Sequence, residues 1–331
     1  MLIAFDGGCL GDGPVTGVGR ALLTGLQAYA ARGEARCVLL LPKPAADPAL
    51  PGIEIVEGPR GALRRQLQLP RLLRRLGADV LHSAVAAVPL RAACPTIATV
   101  HDLPWLHAEL DEPATAWRRF ATRRSLRAAA AVLAPSTATA DDVRRIEPAT
   151  KHLYIVPHGT PLGPAPTAAD VQQRRGPLLV LGDDRPRKNR DRLRAAHRLA
   201  QLQAADLPAL HFAGPPHDYV DEATKRTLLR DCRALVHISR FEGFGLPVLE
   251  GLAHGAPVVC SDLPPHREIA GECAVFVDAL DIAAIAAGLV RVHADAELRL
   301  QLAHGGHARA ATFSPAAVAA AWARVHYEVT S

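Results

Sequence analysis

No stretch of this 331-residue sequence stays apolar for long enough to cross a bilayer. Runs such as Ala128–Ala134 fall far short of about 18 residues, and no basic segment precedes a leader-like core at Met1. The expectation is a cytoplasmic chain. Cysteine is sparse: six residues (Cys9, Cys37, Cys94, Cys232, Cys260 and Cys273) lie scattered with no CxxC pair, so buried thiols fit better than a disulfide framework or a zinc site. Several catalytic signatures are missing. There is no GxxxxGK[ST] phosphate loop, no GxSxG and no HExxH. Gly11, Gly13, Gly17 and Gly19 miss the GxGxxG spacing because position 16 is threonine, so the dinucleotide fingerprint fails. Disorder is excluded as well, since charged residues make up 21% and mean hydropathy is +0.07.

What is present is enough apolar residue, 49%, to build a core in each of about two domains. Short buried strands are expected at Met1–Phe5 and Arg36–Leu41, with helical spacing between them from Gly19 to Ala31. Further strand-like runs follow at Asp79–His82, Thr96–Val100, Ala131–Ala134 and Tyr154–Val156, separated by helical patterns as a parallel sheet requires. The proline- and glycine-rich stretch from Pro157 to Pro166 reads as a linker. A second alternation has candidate strands at Pro177–Gly182, Ala209–Gly214, Ala234–Ile238, Pro257–Ser261 and Ala274–Val277. Two doubly wound α/β sheets in tandem would take a ligand at the carboxyl ends of their strands, in a crevice between the sheets.

Charge is unevenly divided. Residues 1–160 hold 19 Lys and Arg against 14 Asp and Glu, whereas 161–331 balance at 19 each. Two clusters carry the excess: Arg60, Arg64, Arg65, Arg71, Arg74 and Arg75, and then Arg118, Arg119, Arg123, Arg124 and Arg127. Leu63, Leu67, Leu69, Leu72 and Leu73 interleave with the first, and Trp117, Phe120 and Leu126 with the second, so both read as amphipathic helices. They are either solvated faces or a surface for anionic lipid or an acidic acceptor. Nucleic acid is not expected, because no base-stacking aromatics accompany the arginines. His304 and His307 have ligand spacing, but no acidic or sulfur partner accompanies them, and no metal site is assigned.

The sharpest motif is Phe241–Glu250, FEGFGLPVLE. Gly243 and Gly245 permit a tight turn and a close backbone approach, and Pro247 suits the first turn of a helix. The N–H groups from Gly245 and Leu246 onward would then form an anion site at the positive end of the helix dipole. Glu242 and Glu250, eight residues apart, are paired carboxylate acceptors of the kind that bind the hydroxyls of ribose or a hexose. Alternatively, Glu250 complements the helix dipole and Glu242 is an ordinary loop carboxylate.

EGFGLPVLE resembles the E-x7-E signature of the GT4 family of retaining GT-B glycosyltransferases. The flanking GLAHGAPVV and PPHREIAGECAVFV, together with GVGR (17–20), TVHDL (99–103), APSTATAD (134–141), IVPHG (155–159) and GDDRPRKN (182–189), fall in the same order. The resemblance implies an α/β GT-B fold, two Rossmann-like domains facing across a cleft. An acceptor domain would span 1–160, a nucleotide-sugar domain 161–312, and a C-terminal helix, 313–331, would cross back to the first domain.

It also implies roles. Glu250 would bind the ribose and Glu242 the donor-sugar hydroxyls, with Gly243 and the backbone of Phe244, Gly245 and Leu246 at sugar and phosphate. Lys188 and Arg187 would neutralise the diphosphate, and Gly17 and Gly19 would give the first domain its own approach to the phosphates. His101 and Asp102 would stand beside the transferred sugar, although a His-Asp pair at a strand end can equally cap a loop. Hexose transfer from a nucleotide-diphosphate sugar to a glycan or lipid-linked hydroxyl, without metal or cofactor, is the expected activity. The enzyme would be cytoplasmic or peripheral on the inner face of the plasma membrane, and mannose or rhamnose is the expected sugar. A nucleotide-sugar epimerase on the same scaffold and a noncatalytic binding subunit are the alternatives. The segment between Gly214 and Phe241 reads as shorter than the family's, which bears on the identity of the base.

Overall fold

Leu2–Asp6 is buried at every position, as are Val80–Ser83, Thr96–Thr99 and Ala131–Ala134. Such runs form strands because their side chains can be covered on both faces of a parallel sheet. The computed structural model describes all residues except Asp12, Pro14, 43–47, Ala49, Lys151, Pro216, His217 and the side chain of Ala62. Its described residues form two units, Met1–Gly159 with Pro315–Ser331, and Thr160–Ser314.

In chain order the first unit contains β1 (Leu2–Asp6), α1 (Gly17–Ala30), β2 (Arg36–Pro42), β3 (Ile53–Gly58), α2 (Ala62–Leu76), β4 (Val80–Ser83), β5 (Thr96–Thr99), α3 (Ala116–Ala128), β6 (Ala131–Ala134), α4 (Thr137–Ile146) and β7 (Leu153–Ile155). The second contains α5 (Ala168–Gln173), β8 (Leu178–Leu181), α6 (Arg190–Gln201), β9 (Leu210–Ala213), α7 (Glu222–Asp231), β10 (Ala234–His237), α8 (Leu246–Ala253), β11 (Val258–Ser261), α9 (Pro264–Ala270), β12 (Val275–Val277), α10 (Ile282–Ala294) and α11 (Ala296–Ala310). The chain ends in α12 (Pro315–Thr330).

All strand pairs are parallel. The first sheet runs β3-β2-β1-β4-β5-β6-β7 and the second β12-β11-β10-β8-β9. Each therefore reverses its winding once, between β1 and β4 in the first and between β8 and β10 in the second. Open α/β sheets bind ligands beyond the carboxyl ends of the strands at such reversals. In the second unit the loop after β8 leads to Lys188 and the loop after β10 to Glu242.

The strands expected from the sequence are all present, with ends shifted by a residue or so. β3 was not anticipated. Its sequence, IEIVEG, is half-buried except for the exposed Glu54 and Glu57 and lies at the sheet edge, so it lacks the continuous apolar run of the interior strands. The helix α1 begins at Gly17 rather than Gly19, because Thr16 Oγ1 accepts from Gly19 N at 3.3 Å and caps it. Helix α3 departs from the amphipathic expectation. Trp117 and Phe120 are exposed, and of its residues Ser125 and Leu126 are the buried ones.

Helix α12 completes the first unit's core. Trp322 lies over Gly25 of α1, where a Cβ would come within 2.3 Å of the indole, so only glycine admits the ring. Beneath it, His326 Nε2 lies 3.0 Å from His82 Nδ1 of β4, among Phe5, Tyr29 and Trp322. Burial holds His326 down to about 3, and burial, with His326 beside it, holds His82 well below the ordinary imidazole range.

Because the folded pKa of His326 lies below its unfolded value, the unfolded chain binds the extra proton and stability falls as pH drops below about 6.5. The three tryptophans, Trp105, Trp117 and Trp322, all lie in the first unit, so indole fluorescence reports its unfolding. Denaturant titrations should show a loss of about 2 kcal/mol between pH 7 and pH 5 from this group, absent in His326→Leu. An equal slope in the variant would show that His326 carries no such linkage.

Candidate functional site

The loop after β8 turns through a short 3-10 helix, Pro186–Lys188, which ends at Asn189 in the left-handed region (φ 59°). Asn189 Nδ2 donates to Ala279 O at 2.7 Å and fixes the turn. The loop after β10 is tied to it: Arg240 N donates to Arg187 O at 2.7 Å, and Arg187 NH1 donates to Phe241 O at 3.1 Å. These backbone ties bring two side chains together that lie 54 residues apart. Lys188 Nζ stands 2.6 Å from Glu242 Oε1, with the two side chains 12% and 9% exposed.

His237, the last residue of β10, stands 2.9 Å from the same oxygen through Nε2, and Arg187 NH1 is 3.9 Å from Oε2. Burial opposes the charge on Glu242, but Lys188, His237 and Arg187 outweigh it and hold the carboxyl well below the usual range. Burial pushes the His237 imidazole down, only partly offset by Glu242. A neutral His237 therefore gives its Nε2–H to the carboxylate.

Below this cluster lies His266 of α9, fully buried. Its Nδ1 is 2.8 Å from Ser261 O, and a carbonyl can only accept, so the proton resides there. Burial and the nearby His237 bring it down to about 4. Its Nε2 has no hydrogen-bond partner among the described residues and faces the turn before α8, where a Cβ on Gly245 would meet it at 3.1 Å. Gly245 has φ 110°, so both its backbone and its surroundings demand glycine. Gly243 lies in the bend just before it, outside the left-handed region.

Among the described residues no side chain caps the N-terminus of α8, and Pro247 falls in its first turn as expected. Leu246 opens the helix, and the side chain of Phe244 goes inward to meet Phe313 with ring centres 6.2 Å apart. Glu250, in α8, is 5% exposed, and its Oε1 accepts a hydrogen bond from Lys225 Nζ at 2.7 Å. The two carboxylates of the motif thus hold separate cations.

In the first unit, His101 follows β5 at its carboxyl end. Its Nε2 is 2.8 Å from Ala84 O, which fixes the proton on that nitrogen, and its Nδ1 lies 3.0 Å from His158 Nε2. Burial lowers His101, with Ala84 and Asp102 opposing, and burial with His101 lowers His158 well below the ordinary range. A neutral ring with both nitrogens engaged can meet a sugar hydroxyl only by releasing one of these bonds. Asp102 is half-buried beside it. Gly17 starts α1, and Gly19 is glycine for a packing reason, since a Cβ would come within 2.9 Å of Leu10 and Val15.

Sequence reasoning missed His158, His237, His266 and Lys225. His237 was the most discoverable: it is a polar residue closing an apolar strand, at the end where ligands bind. His158 lay inside a motif already noted. His266 and Lys225 are set by tertiary packing. Of the flagged histidines, His304 is exposed and His307 gives a bond to Gly163 O at 3.0 Å. All six cysteines are free. Among the described residues, no group of three His, Cys, Asp or Glu side chains is placed to hold a metal ion, and no helix is long and apolar enough to cross a membrane.

Comparison with known proteins assigns both units. Residues 15–164 match the family Glycosyltransferase Family 4, and residues 166–295 match Glycosyl transferases group 1. The O-antigen chain mannosyltransferase B of Escherichia coli is 35% identical over 96 residues, a match spanning 29% of this chain and 25% of that protein. Sucrose-phosphate synthase from Thermosynechococcus elongatus superposes with a TM-score of 0.77 at 18% identity, over 99% of this chain and 98% of its own. HepE of Anabaena, solved in complex with UDP and glucose, gives 0.72 at 18% identity over 99% and 100%. At these identities the structures establish the fold, two parallel-sheet α/β domains of the GT-B type.

Lys188→Met should leave Glu242 buried with its more distant partners and cost the second unit on the order of 3 kcal/mol. Adding Glu242→Gln should recover much of it. Hydrogen exchange of β8 and β10 amides measures both, and a double variant no more protected than the single one would deny that charge pairing causes the loss.

Proposed function

We propose, from the premise that this chain belongs to the GT4-type glycosyltransferases, that it transfers a hexose from a nucleotide-diphosphate sugar to a hydroxyl acceptor. The observation that carries the reading is the convergence, at the reversal of the second sheet, of Arg187 and Lys188 with Glu242 beside the uncapped start of α8. Cations and a helix N-terminus suit a diphosphate, whose charge grows as it leaves. Carboxylates suit sugar hydroxyls. Glu242 would take donor-sugar hydroxyls and Glu250 the ribose, with the backbone of Gly243, Phe244, Gly245 and Leu246 near sugar and phosphate.

To accept a diphosphate, Lys188 must share or leave its bond to Glu242, so donor binding would rearrange this pair. His101 and Asp102 would face the transferred sugar, and Gly17 and Gly19 would open the first unit's approach to the phosphates. The step breaks the bond from the anomeric carbon to phosphate oxygen and forms one to the acceptor oxygen on the same face. The acceptor's proton passes to the departing diphosphate, so no protein nucleophile is needed and the configuration is retained. Arg187, Lys188 and the α8 dipole would carry the charge without a metal.

Incubation with a panel of UDP-, GDP- and dTDP-sugars, read as released nucleotide with a glycan or lipid-linked acceptor, tests the activity. Mannose and rhamnose donors are the first to try. Glu250→Ala and Lys188→Ala should each lower kcat/KM by about 100-fold or more, and unchanged turnover in both would refute the assignment. Product anomeric configuration by NMR checks retention.

The acceptor is proposed to be a glycan or lipid-linked glycan for cell-surface polysaccharide, met at the inner face of the plasma membrane. Supporting this are the arginines of α2 and α3 with exposed Leu63, Leu67, Trp117 and Phe120 between them. Binding to vesicles containing anionic lipid should fall steeply as salt rises, and salt-independent or absent binding would remove the membrane contact.

A further inference from the structure

Helix α7 presents its inward stripe at Lys225, Leu229 and Cys232. Leu229 and Cys232 are fully buried, and the position one turn earlier, where the helical period calls for another apolar residue, is a lysine that is 7% exposed. A buried ammonium is costly without a partner. It has two: Glu250 Oε1 of α8 at 2.7 Å, inside, and Glu222 at 2.9 Å, whose side chain is 53% exposed.

A buried ion pair contributes little stability over an apolar pair of the same shape, so stability alone does not account for a charged residue at both positions. A sequence breaks its own packing pattern where a site requires it. Like Lys188 with Glu242, the pair joins a carboxylate of the motif to an element outside it, here the second carboxylate to α7.

We propose that Lys225 is a positioning residue for nucleotide recognition, fixing the plane of the Glu250 carboxylate so that it meets the ribose hydroxyls in one geometry. This rests on the reading that Glu250 accepts from the ribose. One oxygen of Glu250 is anchored to an ammonium that is itself held by Glu222, so the carboxylate cannot rotate freely. Two hydroxyls on one ring donate in a set direction, and an acceptor already oriented binds them without first losing that freedom. Lys225 touches neither sugar nor phosphate in this scheme. It acts through Glu250, and its effect is confined to the nucleoside half of the donor.

The test uses whichever of UDP and GDP the full chain binds more tightly, since both carry the two ribose hydroxyls, together with its 2′,3′-dideoxy counterpart, by calorimetry. The wild type should prefer the intact nucleotide by about 10-fold or more. In Lys225→Met the preference should shrink to within about 3-fold, through weaker binding of the intact form, with KM for donor raised and kcat within about 2-fold. A merely structural defect would weaken both ligands alike and leave their ratio unchanged. Because methionine leaves the Glu250 charge without its nearest cation, Lys225→Arg is measured beside it. That variant keeps the charge and moves it, and the preference should fall there too, by less. An unchanged preference in whichever of these variants folds overturns the proposal while leaving the function above intact. If the wild type shows no preference and Glu250→Ala binds normally, the assignment of Glu250 to the ribose is what fails.

Discussion

The second unit is organised around one ion pair, Lys188 with Glu242, held where its sheet reverses direction. Both partners are nearly buried, and such an arrangement persists only if the surrounding backbone supplies the geometry. It does so through the left-handed turn at Asn189, the bonds between Arg187 and the 240–241 backbone, and the strand end that places His237. The site is therefore a product of topology. Two loops far apart in sequence emerge side by side because β8 and β10 are neighbours, and the chemistry collects in the space between them.

The neutral histidines follow the same logic. His237 and His266 lie beneath the glycine turn, and His101 and His158 lie after the first unit's strands, each pressed out of its charged form by burial. Imidazoles in that state supply directional hydrogen bonds without adding charge. Net charge in the second unit's cluster is then set by Lys188, Arg187 and Glu242, which suits a ligand that brings negative charge of its own.

Much of the fold was legible because parallel strands covered on both faces are mostly apolar, and the buried runs at Val80, Thr96, Ala131, Leu178, Ala234 and Val258 are so, with polar residues mainly at their ends. Strand β3 was not, since an edge strand interrupted by Glu54 and Glu57 has no such run. The helix after Gly245 was legible from Gly and Pro alone. What the pattern could not give was pairing. Nothing local in GDDRPRKN says that Lys188 meets a carboxylate 54 residues on, and nothing in EATKRTLLRD says that Lys225 turns inward to Glu250. The exposure of Trp117 and Phe120 has the same origin: residue type states what a position permits, and the neighbours decide what it does.

Trp322 and Val325, near the carboxyl end of the chain, sit in the core of the unit that the amino-terminal residues begin. During synthesis the first sheet therefore leaves the ribosome with the seat for that indole uncovered, and it stays so until some 150 intervening residues, Thr160–Ser314, have been made. The first half to be translated is the last to be finished, and its maturation waits on the other half having already emerged.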